Sequence, residues 1–302
     1  MQPEDDVRLP PVDDQKTSEW IVVLAAAHLH YRLSYEAGQW LIHLPLAEVD
    51  VAERELAAYE EERQSWELAR MPLPPSWLKG GSSWSPAWVA GMLIAFYVWI
   101  GPYSRASTLA RGAAMDTDLF FSGEWWRAVT ALTVHAGPGH LAGNVASILL
   151  FGYAVCQVFG GGLGWILILA AGIMGNAVAA SLHGSDHISV GASTACFGAL
   201  GILSACQAIR NLRQFGFSAS IWNRMWIPIG AGLALLTLLG TGERSDLLAH
   251  LFGFISGLLL CIPFIWNPPG RLSSGRQQLL QLLALVIIMT AWRLVLVAVG
   301  GK

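Results

Sequence analysis

The feature that most limits how this chain can fold is a series of seven apolar runs beginning near residue 87. They occupy residues 87–104, 141–159, 164–183, 192–209, 225–240, 247–266 and 278–299. Each run is close to the roughly 20 residues that a helix needs to cross the hydrocarbon core of a bilayer. The pattern predicts an all-α polytopic membrane protein with six core helices and a seventh, C-terminal helix. The seventh run is the weakest, because Arg293 is costly at mid-bilayer unless it reaches the interface or pairs.

The composition agrees with a membrane protein and excludes several other classes. Hydrophobic residues make up 54% of the 302 residues and charged residues only 13%, whereas a soluble domain has about 25% charged residues. The net charge of −3 provides no basic surface for nucleic acid, so we expect no nucleic-acid partner. The cysteines lie inside apolar runs without metal-ligand spacing, so we interpret them as packing residues. They are Cys156, Cys196, Cys206 and Cys261.

The first 86 residues differ in character from the rest. Residues 1–17 are acidic and contain a Pro-Pro pair, so we expect them to be disordered. No basic segment precedes an apolar core there, so we expect no signal peptide and a cytoplasmic N-terminus. Residues 71–86 are rich in Pro, Gly and Ser, which predicts a linker.

Between these segments, residues 18–70 predict a small α+β unit of the order α-β-β-α on the cytoplasmic side. Ser18 stands where an N-cap would begin an apolar helix. Residues alternate on either side of Glu36-Ala37-Gly38, which predicts a β-hairpin, and a second helical pattern with one acidic face follows. The expected organisation continues with a six-helix core at 87–266. A cytoplasmic connection and the extra helix follow at 267–302.

Basic residues indicate which connections face the cytoplasm. The connections after the fourth and sixth runs hold Arg210, Arg213, Arg224, Arg271 and Arg276. The opposite connections, 184–191 and 241–246, hold only Arg244, beside acidic residues. Because cytoplasmic loops carry an excess of Lys and Arg, this pattern supports a cytoplasmic N-terminus and an outer loop at 105–140. We expect a multi-pass protein of the bacterial inner membrane; no feature indicates an oligomeric state.

Polar side chains stand at three places where lipid tolerates them poorly. His135, His140 and Asn144 lie at the start of the second run, Ser193 begins the fourth, and His250 lies in the sixth. In the expected orientation all three sets lie toward the outer leaflet. Each residue alone has an ordinary structural explanation, and an N-cap is the commonest role for a serine at the position of Ser193. Their common depth favours a shared site.

Small residues favour close packing of the fourth and sixth helices. Gly253 and Gly257 follow His250 on one helix face, and such faces let membrane helices approach closely. Ser193 and His250 are then expected within hydrogen-bond reach, where the histidine is the base that a serine nucleophile requires. Phe197, one turn after Ser193, is placed to press on the imidazole. No carboxylate stands where a third catalytic member is needed, so the pattern predicts a Ser–His dyad.

Acyl transfer also needs hydrogen-bond donors where negative charge develops. His140 and Asn144 are four residues apart and share a helix face, so both are candidates together with the backbone N–H of Ser193. The dipole at the start of the fourth helix favours the same charge. Gly191, two residues before the serine, permits a tight turn with positive φ.

From Glu124 to Leu260 these residues resemble the rhomboid intramembrane serine proteases. The matching pieces occur in family order and with family spacing. They are Trp126-Arg127, His135-x4-His140-x3-Asn144, Gly191-x-Ser193 and Ala249-His250-x2-Gly253-x3-Gly257.

The resemblance implies a rhomboid-like six-helix core in which Ser193 is the nucleophile and His250 the general base. It assigns His140 and Asn144 to the oxyanion hole, and it implies that the loop of Trp126 lies partly in the outer leaflet. The implied partners are the lipid bilayer and transmembrane protein substrates, cleaved near the outer surface. No metal, nucleotide or other cofactor is implied.

The chain departs from the family pattern at two positions. Thr194 stands where the family often has glycine, and we expect its β-branched side chain to narrow the cleft and alter substrate preference without abolishing activity. Phe197 stands where the family often has tyrosine; it keeps the ring and loses only the hydroxyl. The N-terminal unit and the seventh helix are additions to the core.

Three alternatives remain beside a protease. The first is a catalytically inactive rhomboid relative, which typically lacks the serine or the histidine that this chain keeps. The second is a metal-dependent protease, for which His183, His187, His135 and His140 are candidate zinc ligands. The chain has no HExxH motif, and we interpret His183 and His187 as solvated outer-loop residues. The third is a transporter, whose polar residues would stand nearer mid-bilayer.

Overall fold

The computed structural model describes residues 6–70, 84–215, 219–240, 246–265 and 272–301. The chain divides into two compact units, Met1–Pro72 and Leu73–Lys302. Arg244 and Arg271, which entered the orientation argument, and most of the expected linker 71–86 lie outside the described residues.

The first unit is a three-stranded antiparallel sheet with two main helices. Its elements are β1 (Asp6–Arg8), α1 (Asp14–Ala26), β2 (Arg32–Glu36), β3 (Gln39–Pro45) and α2 (Val49–Arg70). The strand order is β1-β3-β2. The turn between β2 and β3 has positive φ at Ala37 (51°) and Gly38 (86°), the geometry that matches strand twist in a two-residue hairpin. A small core comprises Leu9, Leu24, Ile42, Leu44, Ala52 and Leu56.

The expected disorder of residues 1–17 is wrong for the part that the structure describes. Val7 pairs with Leu44 in the sheet, because the edge of β3 offers free backbone groups to a third strand. The expected N-cap at Ser18 is also wrong. Asp13 is the cap, since its carboxylate accepts from the backbone N–H of Lys16 at 2.8 Å. The acidic residues taken as a sign of disorder thus begin a helix.

The second unit is built almost entirely of helices. They are α3 (Ser85–Ile100), α4 (Thr108–Ala113), α5 (Thr117–Phe121), α6 (Arg127–Thr130), α7 (Pro138–Phe159), α8 (Gly161–His183), α9 (Ser193–Phe215), α10 (Ala219–Gly240), α11 (Leu247–Leu260) and α12 (Ser274–Gly300). A π-helical turn at Ile148–Gly152 lies within α7. Two short strands, β4 (Met115–Asp116) and β5 (Ile188–Ser189), pair on the loop side.

Five helices of the described residues are long and apolar enough to cross a membrane. They are Pro138–Phe159, Gly161–His183, Ser193–Leu212, Leu247–Phe264 and Ser274–Gly300. The other two predicted spans coincide with shorter apolar helices, Ser85–Ile100 and Trp226–Leu238. The chain is therefore a multi-pass membrane protein, and the count of seven spans stays a prediction. The first predicted span is shortened because Gly101, with a φ of 78°, and Pro102 end α3.

Helices α9 and α11 meet almost backbone to backbone. A methyl group added to Gly257 would lie 2.1 Å from the carbonyl oxygen of Gly198, and one added to Gly201 would lie 2.1 Å from that of Phe254. At these distances no side chain fits, so the glycines allow the close approach that membrane helices use to gain packing contacts. This contact brings the N-terminal ends of the two helices together on the same side of the unit.

The C-terminal helix α12 is joined to the core by specific polar contacts. The side-chain oxygen of Gln277 accepts from the backbone N–H groups of Gly162 and Leu163, at 2.6 and 3.0 Å. Its amide nitrogen donates to the carbonyl of Phe159 at 2.8 Å. Further along, the indole N–H of Trp292 donates to the Thr133 hydroxyl at 3.1 Å. Arg293 is exposed near the C-terminal end of α12.

Candidate active site

A cavity of about 660 Å³ lies where the N-terminal ends of α7, α9 and α11 converge. Helices that start at the same level direct their unsatisfied backbone N–H groups toward the same space. Ser193, His250, His140 and Gly191 all line this cavity. The structure therefore brings together four of the residues that the sequence singled out.

Ser193 and His250 lie in hydrogen-bond contact within the cavity. The distance from the serine Oγ to the histidine Nε2 is 2.8 Å. Ser193 is the first residue of α9, and His250 lies in the first turn of α11, whose N-cap is Asp246. The ring of Phe197 lies 4.7 Å from the imidazole between centroids, at an interplanar angle of 39°. The aromatic ring limits the rotation of the imidazole and excludes water from one of its faces.

The turn before Ser193 depends on a glycine. Gly191 has a φ of 130°, and its N–H donates to the carbonyl of Ala131 at 2.9 Å. A methyl group at this position would lie 2.6 Å from Cε1 of His140. The glycine therefore serves two purposes: it permits the backbone conformation that begins α9, and it leaves room for an imidazole against the loop.

Asn144 presents an unsatisfied donor beside the glycine turn, where a methyl group added to Gly191 would lie 3.5 Å from its amide nitrogen, although Asn144 itself does not line the cavity. The side chain is 5% exposed, and its amide nitrogen has no hydrogen-bond partner among the described residues. The thiol of Cys196 lies 3.8 Å from the backbone oxygen of Asn144 and 4.0 Å from the side-chain oxygen. Because a buried unpaired amide is costly, a native structure that keeps one usually has a use for it.

His135 is not brought to the cavity with the other histidine of its motif. It is fully buried behind His140, with the two rings edge to face and 5.4 Å between centroids. Its backbone carbonyl accepts from the N–H of Tyr103 at 2.8 Å. Burial, and then the nearby His140, lower the pKa of His135 to about 4. His135 is therefore neutral at ordinary pH and supports His140 from behind.

Trp126 and Arg127 organise the loop before α7 and do not line the cavity. Arg127 is 4% exposed, and its Nε donates to Glu124 at 2.7 Å. Its Nη1 donates to the carbonyls of Arg111 and Ala114, at 2.8 and 2.7 Å. Buried charges require this degree of pairing. Trp126 is half-buried, whereas the neighbouring Trp125 is 59% exposed.

The side chain of Thr194 is directed into a helix crossing. A methyl group added to Gly175 would lie 2.7 Å from the methyl carbon of Thr194, and one added to Gly253 would lie 3.1 Å from it. The methyl thus fills the gap that glycines leave where α8, α9 and α11 meet, although the residue as a whole also borders the cavity. The β-branched side chain of Thr194 therefore has a packing role. The expected narrowing of the cleft, and its effect on substrate preference, stay predictions.

His183, His187 and Asp246 form a cluster that we did not predict from the sequence. The two imidazoles stack with 3.5 Å between centroids at an angle of 8°. Their Nε2 atoms lie 2.8 and 2.9 Å from the two carboxylate oxygens of Asp246. The interpretation of these histidines as solvated loop residues is wrong. Positive φ at Gly184 and Asp186 folds the chain back so that the two rings face each other.

The carboxylate of Asp246 is kept ionised by its neighbours. Burial opposes the charge, but the N–H of Ala249 and the two imidazoles outweigh it and hold the pKa of Asp246 below its usual value. A sequence signal existed for this cluster: the spacing His-x3-His around a glycine, with an acid one turn before His250. Its convergence depends on contacts between residues 59 and 63 positions apart.

Comparisons with known proteins identify relatives of this second unit. Residues 122–267 match the Rhomboid domain family. The chain is 33% identical over 165 residues to rhomboid protease GluP of Bacillus subtilis. The aligned residues make up 54% of this chain and 31% of GluP. It is 34% identical over 139 residues to YdcA of the same organism, named as a candidate rhomboid protease, covering 46% of this chain and 67% of YdcA.

A plant relative matches to a similar degree. RHOMBOID-like protein 1 of Arabidopsis thaliana is 33% identical over 171 residues, covering 56% of this chain and 42% of that protein. The chain thus spans less than half of the length of GluP and of the plant protein, and about two thirds of YdcA. The region that matches the family model, residues 122–267, runs from the loop of Trp126 to the helix of His250 and so contains Ser193 as well.

Proposed function

Because the chain belongs to the rhomboid family, we propose that it is an intramembrane serine endopeptidase acting through a Ser193–His250 dyad. Its substrates are other membrane proteins, cut in or near their transmembrane segments. One observation carries the proposal: the 2.8 Å contact between the Ser193 hydroxyl and the His250 imidazole inside a cavity of a membrane-spanning unit. A half-buried serine that contacts a buried histidine in a membrane-spanning unit is a costly arrangement unless the pair has a function.

The first half of the reaction forms an acyl-enzyme. The neutral imidazole of His250 accepts the hydroxyl proton through Nε2 while Ser193 Oγ attacks the carbonyl carbon of the scissile bond. The proton then passes to the leaving amine, the C–N bond breaks, and the acyl group stays on the serine as an ester. The ring of Phe197 keeps the imidazole in line for both transfers.

The negative charge that develops on the carbonyl oxygen needs hydrogen-bond donors close to that oxygen. The unpartnered amide of Asn144 is one candidate, and the N–H of Ser193 at the start of α9 is another. His140, held between the glycine turn and the buried His135, is the third. Buried donors that are already oriented stabilise the oxyanion without a cost of reorganisation at the moment of reaction.

The second half of the reaction uses water. His250 takes a proton from a water molecule, whose oxygen attacks the ester; the proton returns to Ser193 Oγ as the acid product leaves. The cavity is bordered by polar side chains, including Asp246 and Asn176, and is wide enough for water. The proposed chemistry needs no metal or other cofactor. The proposed setting is the bacterial inner membrane, with the site toward the outer leaflet and the N-terminus in the cytoplasm.

The test is cleavage of a single-span model substrate by the full chain, purified in detergent or reconstituted in liposomes. Ser193→Ala and His250→Ala are expected to reduce the rate by about 10³-fold or more. Ser181→Ala is the matched control, because this exposed serine bonds only to the carbonyl of its own helix turn among the contacts described for it. The wild-type rate is expected to persist in EDTA.

Three outcomes would overturn the proposal. Undiminished cleavage by either dyad variant rules out the dyad. Absence of cleavage by the wild type, together with retained binding of the substrate, favours a catalytically inactive rhomboid-like protein in membrane binding or quality control. A rate that falls to background in EDTA would indicate a metalloprotease.

A further inference from the structure

The cluster of His183, His187 and Asp246 joins three separate parts of the chain. His183 ends α8, His187 lies just before β5, and Asp246 is the N-cap of α11. Each residue offers one ligand atom, and these atoms all lie within 4.8 Å of one another. The proposed catalytic chemistry uses none of the three side chains.

The loop that carries His187 is held firmly in place. Thr117 donates its N–H to the carbonyl of His187 at 3.1 Å, and its hydroxyl accepts from the N–H of His187 at 3.3 Å. The N–H of Asp186 donates to the Asp118 carboxylate at 3.1 Å. The pairing of β4 with β5 continues the anchor on the other side. The backbone that carries the His187 imidazole is therefore held in place before any ligand binds.

We propose that these three side chains form a binding site for a divalent transition-metal ion of the zinc type. Two imidazole nitrogens and one carboxylate oxygen are a preferred donor set for Zn²⁺. A tetrahedral zinc with bonds of about 2.0–2.2 Å places its ligands roughly 3.4 Å apart. The hydrogen-bonded atoms here lie 2.8 and 2.9 Å apart, so small outward movements of the side chains admit an ion.

The three side chains of the site are partly exposed, so an ion can reach them. The side chains of His183, His187 and Asp246 are 20%, 28% and 11% exposed. The negative charge of the Asp246 carboxylate favours a cation, and the two imidazole nitrogens supply neutral donors. Three protein ligands leave the fourth position of a tetrahedral ion to water.

The site also borders the cavity of the proposed dyad. His187 and Asp246 line the same cavity as Ser193 and His250. The side chain of Asp246 caps α11 through the N–H of Ala249, and its carbonyl accepts the N–H of His250. An ion that draws the carboxylate outward weakens this cap and adds a hydrated charge where substrate enters. Zinc is therefore an inhibitor of cleavage, a consequence that rests on the proposed function, whereas the binding site does not.

Binding is tested first, with the full chain stripped of metal by chelator and titrated with zinc chloride in a calorimeter. The wild type is expected to bind about one ion per chain at this site. His183→Gln and His187→Gln are each expected to weaken binding at least about tenfold, because each removes one ligand. His28→Asn is the matched control, since His28 is exposed in the other unit and Asn tolerates its positive φ of 57°.

Ser193→Ala is expected to bind zinc as the wild type does, which separates the site from the catalytic chemistry. Failure of the wild type to bind zinc, or equal binding by the cluster variants and the wild type, overturns the site and leaves a carboxylate clamp between two imidazoles. The proposed protease activity stands in that case.

Inhibition is tested with the cleavage assay. Zinc is expected to slow the wild type and His28→Asn, and to have at least about tenfold less potency on His187→Gln. Equal inhibition of His187→Gln and the wild type places the inhibitory ion elsewhere and overturns the coupling. Zinc binding without any cleavage by the wild type overturns the proposed function and leaves the site intact.

Discussion

The imidazole of His140 occupies the space that a side chain at residue 191 would need. A methyl group there would lie 2.6 Å from Cε1 and 2.7 Å from Nε2 of the histidine. Two separate elements, the start of α7 and the turn before α9, are thus fitted to each other through the absence of one side chain. This contact sets the distance between the proposed oxyanion donor and the proposed nucleophile.

Gly191→Ala is therefore expected to abolish most cleavage while the membrane unit stays folded. The new methyl displaces His140, and the positive φ of 130° adds backbone strain. Cleavage rate and melting temperature are measured together. Gly91→Ala is the control, because a methyl at that position in α3 meets nothing within 4 Å. Wild-type cleavage by Gly191→Ala would show that the position of His140 is unimportant.

Asn144→Ala tests the unpartnered amide. Removing one oxyanion donor is expected to lower kcat by about 10²–10³-fold with little change in KM, because the interaction forms only in the transition state. Asn211→Ala, far along α9 from the cavity, is expected to cleave at the wild-type rate. Full kcat in Asn144→Ala would remove this residue from the oxyanion hole.

Two variants of Thr194 distinguish a role in helix packing from a role in substrate specificity. Thr194→Val keeps the shape of the side chain, and Thr194→Ser loses the methyl that packs between Gly175 and Gly253. We expect the serine variant to lose about 1 kcal/mol of stability and both variants to keep cleavage. Cleavage-site preference is measured on a set of single-span substrates. A changed preference in Thr194→Ser with unchanged stability would place the methyl in the cleft.

Gln277→Ala is expected to loosen the C-terminal helix. The substitution leaves two N–H groups and a carbonyl at the α7–α8 junction without the glutamine, and each buried unsatisfied group costs about 1–3 kcal/mol. Limited proteolysis after residue 266 and the melting temperature report the effect. Gln278→Ala is the control, because that side chain is exposed on the same helix. Equal protease resistance of the two variants would contradict a stabilising role for the Gln277 hydrogen bonds.

Because His135 is buried with a lowered pKa, we expect the folded chain to lose stability in mild acid. The pKa of His135 is about 4 in the folded chain and near 6.5 when exposed. Below pH 6.5 the unfolded chain binds a proton that the folded chain does not, so stability falls as the pH drops from about 6.5 to 4. The loss is expected to reach a few kcal/mol. His135→Phe flattens the pH dependence of the melting temperature, whereas His28→Asn leaves it unchanged.

The resemblance to the rhomboid family is confirmed, and it could be reached from the sequence because its signals are local. Polar residues at helix starts, and glycines spaced along one face after His250, are visible without any knowledge of the fold. The starts of α8, α9 and α11 fall close to the predicted ones for the same reason. The first helix is shorter than predicted, because apolarity alone does not reveal where Gly101 turns the chain.

The order of the residues was thus enough to identify a polytopic membrane protein and to indicate which polar residues are candidates for one site. Apolar length and helical spacing are properties of neighbouring residues, so they can be seen in the chain itself. Only the folded structure revealed the hydrogen-bond partners of Arg127 and Gln277, the direction of the Thr194 side chain and the contact of His183 and His187 with Asp246. These contacts link residues far apart in the chain. Which distant polar group a side chain contacts depends on how the helices pack, and a local sequence pattern does not show this.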